Sequence, residues 1–268
     1  MSTVTITAGA TAATGKSLST SLAVPVTSML IGSDRAPMSG LTAAYTGVRY
    51  TRLYGAPGKG IPSVAAVPAG CVAHVSFKDS PTATLVNPWL DTITHPVILE
   101  WHHEPEGDMT AAAYRAGVAA LIALVRAHPN GHWVKVAQTL TRFAQAHPGK
   151  LMTDGTPATV ANLWCGADLI GMDCEKDSSF GTGCPDPKSF FAVAVAAAKQ
   201  VGRPFVIPEL GWVDPGDGTL AGWYTACVAY LRSVGCFAVA VYDTLGSTGD
   251  YRLSNPALAA WQHAVASQ

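Results

Sequence analysis

Pro96-Val-Ile-Leu-Glu-Trp-His-His-Glu-Pro-Glu-Gly-Asp108 carries an apolar run into two histidines and two acids, then stops at Pro105 and Gly107. Val97, Ile98 and Leu99 are continuous and β-prone, so this half reads as a buried strand. The polar half reads as the mouth of a site at that strand's C-terminal end. Pro204-Phe-Val-Ile-Pro-Glu-Leu-Gly-Trp212 repeats the plan, an apolar strand closing on Glu209.

Outward from these two runs the chain alternates strands with helices or loops. Strands are expected at Val26–Ile31, Val48–Tyr54, Cys71–Phe77, Val97–His102, His132–Thr139, Ala167–Asp173, Pro204–Pro208 and Cys236–Tyr242. Helices are expected at Thr84–Thr94, Thr110–His128, Pro187–Val201, Leu220–Val234 and Pro256–Ala266, several bounded by ordinary caps and by Gly or Pro stops. Eight β/α units close a barrel, so the fold class is α/β, a single (β/α)8 TIM barrel over 26–268. A Ser/Thr/Ala-rich lead-in covers 1–25. The rival, an open doubly wound sheet, lacks support because no GxGxxG or GxxxxGK[ST] follows any strand.

Composition narrows the function. With 49% hydrophobic and 13% charged residues, the 268-residue chain is neither disordered nor built to wrap nucleic acid. Its formal net charge of −1, with no basic run, excludes a phosphate backbone as the main partner. No stretch is long and apolar enough to span a membrane. The lead-in lacks the basic start and apolar core of a signal peptide, so action outside the cell, which is the expectation, would rest either on a leader beyond this sequence or on another export route. Six cysteines (71, 165, 174, 184, 227 and 236) form no zinc-type CxxC pair. Cys174 and Cys184 flank a loop and could either bridge or remain free thiols.

Reacting groups in such barrels sit at the C-terminal ends of strands. Glu104 after strand four and Glu209 after strand seven are the two carboxyl groups that retaining glycoside hydrolysis requires. Glu104 is expected to be the acid/base and Glu209 the nucleophile, with no cofactor and no metal. Glu100 shares inward parity with Ile98 and His102, and reads as a buried acid paired with Arg49, Arg52 or Lys135. Trp101 has outward parity and reads as packed under a helix. A metal site from His102, His103 and Glu106 would need further ligands from other strands, and strand one offers no HxH.

His103-Glu104 after strand four, with the glutamate of Pro208-Glu-Leu-Gly211 after strand seven, resembles glycoside hydrolase family 26. Actinobacterial and phage-borne relatives with a His-His-Glu-Pro-Glu run, here His102–Glu106, are the most similar. Ser76-Phe-Lys78 and Ile170-Gly-Met-Asp173 also look like segments of those relatives, and the likeness covers about two-thirds of the chain by usual barrel proportions. The resemblance implies a retaining hydrolase of β-linked polysaccharide or cell-wall glycan, mannan-like in the type case. His103, Lys78, Asp173, Trp212, Tyr242 and Glu106 are then expected to contact the sugar, and the partner is carbohydrate. This chain departs from the family at three places. Glu100 stands where it carries arginine, Glu175 where it often carries tyrosine, and Tyr242 where it carries the strand-eight tryptophan. The alternatives are a catalytically weak or inactive carbohydrate-binding or virion structural module on the same barrel, or a barrel hydrolase using a metal through its histidines.

Overall fold

The structure, a computed structural model, describes residues 29–34, 46–147, 149–176, 181, 183–243 and 251–267. The lead-in at 1–25 and the first residues expected of strand one lie outside them. Eight parallel strands close in sequence order: β1 (Leu30–Ser33), β2 (Tyr50–Gly55), β3 (Val72–Phe77), β4 (Val97–Trp101), β5 (Val134–Thr141), β6 (Leu169–Glu175), β7 (Phe205–Gly211) and β8 (Ala238–Val241). Closure comes from β1 lying against β8, Leu30 level with Ala238 and Ser33 with Val241.

Around the strands run α1 (Ala83–Asp91), α2 (Ala111–Ala127), the short α3 (Arg142–Ala146) and α4 (Val160–Leu163), α5 (Pro187–Phe190), α6 (Ala192–Val201), α7 (Leu220–Ser233) and α8 (Asn255–Ala266). Helix α2 shows why the sequence folds this way. Thr110 caps it by accepting from the Ala113 N–H, and Tyr114, Val118, Leu121, Ile122 and Val125 recur at helical spacing and are buried. Fully burying such a side chain stabilises the fold by about 1.5–3 kcal/mol. Gly117 leaves room for the indole of Trp101, which points outward from β4, stacks on Tyr114 and donates to the Asp79 carbonyl at 2.8 Å.

The expected elements are all present where described, with shifted ends. A 3₁₀ turn at Pro129–Trp133 takes His132, so β5 starts later and runs on to Thr141. The helix expected over 187–201 breaks at Phe191. Phe190 and Phe191 are both fully buried, whereas consecutive residues of an unbroken helix point about 100° apart. All six cysteines are free thiols, so no 174–184 bridge forms. Among the described residues no helix is long and apolar enough to cross a membrane.

Inside the barrel, Leu30, Tyr50, Ile98, Ala137, Leu169, Val206, Ala238 and Ala240 form an apolar plug. Nearer the C-terminal mouth the interior turns polar, with Arg52, His74, Glu100, Thr139 and Asp173 all buried. Strand β7 is irregular in one informative place. Between Ile207 and Leu210 it holds one residue more than either neighbour: Gly171 faces Val206 but Cys174 faces Leu210, and Val239 faces Ile207 but Val241 faces Leu210. Pro208, which cannot donate to a ladder, sits in this bulge. Val206 points inward, and the added residue brings Glu209 inward as well.

Candidate active site

The floor of the site is one guanidinium. Arg52, fully buried on β2, lies 2.5 Å from Glu100 of β4 and 3.7 Å from both Asp173 of β6 and Glu209 of β7. Of the three cations offered for Glu100 by the sequence, Arg52 is the partner. His74 stands 3.3 Å from the other Glu100 oxygen, where Thr139 also donates, and its Nδ1 is 2.7 Å from the Tyr50 hydroxyl. Burial opposes ionisation of Glu100, but the charge of Arg52, aided by the His74 hydrogen bond, outweighs it and holds its carboxyl below the usual range. Burial pushes His74 down, keeping it neutral.

Above the floor, β4 ends in a backbone conformation that ordinary side chains seldom adopt. His102 has φ 54° and Glu104 φ 51°, both left-handed. The His102 N–H donates to the Phe77 carbonyl at 2.9 Å and the Glu104 N–H to the Thr139 carbonyl at 3.2 Å. These bonds to β3 and β5 hold the strained turn in place. His103 is 2.5 Å from the Ser76 hydroxyl and lies beside the Tyr54 ring, with centroids 5.4 Å apart. Burial and the charge of Arg52 push His103 down to about 3, so it is neutral.

Glu104 and Glu209 share this space in unlike settings. Burial, then the charge of Glu209, pushes Glu104 up to about 8. Glu209 is also raised by burial, but Arg52 and the Tyr54 hydroxyl, donating at 2.7 Å, favour its anion. Three more carboxyl groups feel the same field. Asp34 at the end of β1 and Glu175 at the end of β6 each rise to about 8, and Asp173 is pushed well up, burial being the largest cause for all three. Asp34 also ties β1 to β8 by accepting from the Asp243 N–H at 3.0 Å. At neutral pH a buried acid beside a better-stabilised carboxylate is the arrangement that supplies a proton donor and a nucleophile together.

Of the expected sugar contacts, His103 and Tyr242 are gathered at this mouth, and Asp173 lies fully buried on its floor against Arg52; Tyr242 is half-buried and packs edge-on against Tyr251. Lys78 sits at the rim, 3.3 Å from Asp108. Glu106 braces the β5–α3 junction, its Oε1 accepting from the Thr141 N–H at 2.9 Å and hydroxyl at 3.2 Å. Trp212 corrects the sequence reading. The bulge that turns Glu209 inward turns Trp212 outward, where it is 1% exposed among Phe190, Trp223 and the Lys176 ammonium. No ring face is left open for a sugar. Among the described residues no three His, Cys, Asp or Glu side chains are grouped to hold a metal ion.

Tyr54 and Asp34 escaped the sequence reading. A signal for Tyr54 exists: Tyr50, Arg52 and Tyr54 share one parity on β2, and in a closed barrel that parity points inward. The guanidinium that meets Glu100 comes from β2.

The fold and site define a closed (β/α)8 barrel with a carboxyl-rich C-terminal mouth. No family profile matches the chain, and no curated protein matches it. Solved structures do. A family 128 (subgroup I) endo-β-1,3-glucanase from Amycolatopsis mediterranei in complex with laminaritriose superposes with a TM-score of 0.63 at 17% identity, over 88% of this chain and 100% of that one. An endo-β-1,4-glucanase from Xanthomonas axonopodis pv. citri gives 0.61 at 11%, over 86% and 90%. A family 26 β-mannanase from Bacteroides ovatus gives 0.54 at 15%, over 90% and 89%. At these identities the likeness is one of fold.

Proposed function

We propose that this protein is a retaining glycoside hydrolase acting on a β-linked polysaccharide. One observation carries the reading: β4 and β7 deliver Glu104 and Glu209 to one buried mouth, where burial and the charge of Glu209 favour the protonated form of the first and Tyr54 and Arg52 favour the anion of the second. In the first step the Glu209 carboxylate attacks the anomeric carbon while Glu104 gives its proton to the departing glycosidic oxygen. This leaves a glycosyl ester on Glu209 and a Glu104 carboxylate. In the second step Glu104 takes a proton from a water molecule, whose oxygen attacks the same carbon and releases Glu209. Two displacements at one carbon retain its configuration.

The superposed glucanases and mannanase support a β-glucan or β-mannan substrate, and the two glucanases named above support an endo mode. Reducing-sugar release from laminarin, carboxymethyl cellulose, mannan and xylan tests the reading. The wild type should release sugar from at least one of them, and Glu104→Ala and Glu209→Ala from none. Full activity in either variant removes that residue from the mechanism. The crowding of Asp34, Asp173 and Glu175 around Glu209, which is itself pushed up, favours a second reading, a binding module with little turnover. That reading predicts retention on the same glycans with no release.

A further inference from the structure

Glu175 has no part in the two steps above, yet the register of β6 and β7 brings its carboxyl group up beside that of Glu209. Three features bring the two together. Glu175 is the last residue of β6 and keeps the inward parity of Leu169 and Asp173. The bulge in β7 turns Glu209 toward it. Glu175 lies level with Gly211, where a Cβ would come 3.5 Å from the Glu175 Cγ and 2.9 Å from the Tyr251 ring, so the glycine leaves this corner open.

Two ionised carboxylates repel at close range, so two such neighbours are held together most favourably by one proton between them. The neighbours decide which group carries it. Glu209 faces Arg52 and accepts from the Tyr54 hydroxyl, both on β2. Glu175 faces acids: Glu209 from β7, Glu104 from the end of β4 and Asp34 from the end of β1, with the neutral Tyr242 at the end of β8. We propose that Glu175 is a positioning residue, a carboxylic acid that donates its proton in a hydrogen bond to the Glu209 carboxylate and so fixes the nucleophile opposite Tyr54. The elevation of Glu175 to about 8 agrees with this, burial and the Glu209 charge being its first causes. A carboxylic acid then completes a set of donors that would otherwise rest on Tyr54 alone beside the guanidinium.

The role in turnover rests on the glycosidase reading; the shared proton does not. The test is therefore a ¹³C NMR titration of protein labelled at the glutamate carboxyl carbon, with Glu175 and Glu209 assigned from Glu175→Gln and Glu209→Gln. In the wild type the two carbons should titrate as a coupled pair, holding one proton through neutral pH. In Glu175→Gln, whose amide still donates, Glu209 should titrate in a single step about one unit below its value in Glu175→Ala. Identical Glu209 titration in all three proteins, or a Glu175 carbon titrating alone near the ordinary carboxylate value, overturns the proposal. On whichever glycan is cleaved, Glu175→Ala should lose about tenfold or more in kcat and Glu175→Gln should restore most of it. Loss in both variants to the same degree also overturns it. Should no protein in the set cleave any glycan, the functional reading fails while the titration still decides the pair.

Discussion

Replacing Arg52 with Met keeps an unbranched apolar stem and removes the cation shared by Glu100, Asp173 and Glu209. The guanidinium is fully buried and 2.5 Å from a buried carboxylate, so its loss strands negative charge away from water. Breaking a buried pair in this way costs about 3–5 kcal/mol. For a domain of this size about 2–4 °C of Tm accompanies each kcal/mol, which gives a fall of about 6–20 °C at pH 7. Thermal and urea unfolding of Arg52→Met beside the wild type would read it directly. The deficit should also depend on pH. Glu100 is depressed in the fold, so its ion pair contributes fully above the unfolded carboxylate value of ~4.3 and is lost only as pH falls through the folded value. In Arg52→Met, burial makes Glu100 fold protonated, so the difference between the proteins should narrow as pH falls toward ~4. A deficit under ~1 kcal/mol at pH 7, or one that widens on acidification, would refute the view that one buried cation holds the site together.

Three further outcomes follow. Because Glu104 must be protonated to act and is pushed up to about 8, wild-type kcat/KM should fall as pH rises through that value. Glu104→Gln should lose this limb together with ~10²–10⁴-fold in rate, and less on an aryl glycoside whose leaving group needs no proton. Tyr54→Phe deletes the 2.7 Å bond to Glu209, raising its pKa, so the acid limb of the pH–rate profile should move up by about one unit. Gly117→Ala would drive a methyl into the Trp101 ring and should destabilise by about 1–3 kcal/mol, read by urea midpoint, with turnover per folded molecule unchanged.

The barrel was legible because each of its strands is an apolar run bounded by turn residues, and closure needs only their number and order. The places of Glu104 and Glu209 at strand ends were legible for a related reason: each closes an apolar run. The bulge in β7 was not legible, because the added residue shows only when β6 and β8 are laid beside it. It reverses parity beyond Ile207, so Trp212, which the resemblance offered as a sugar contact, packs outward in the fold. The parity of Glu100 predicted a buried acid needing a cation, but the choice of Arg52 over Arg49 and Lys135 depends on strand register. The bond from Tyr54 to Glu209 joins positions 155 residues apart, and nothing local to either one announces it.

The central claim is that Glu209 forms a covalent bond to sugar. A 2-deoxy-2-fluoroglycosyl fluoride of the sugar released in the glycan screen should trap that ester, since the fluorine slows its hydrolysis more than its formation. Intact-mass and peptide mass spectrometry should then find one added glycosyl unit on the peptide containing Glu209, and none in Glu209→Ala. Turnover of the polysaccharide with no adduct, or an adduct on another residue, would contradict the account.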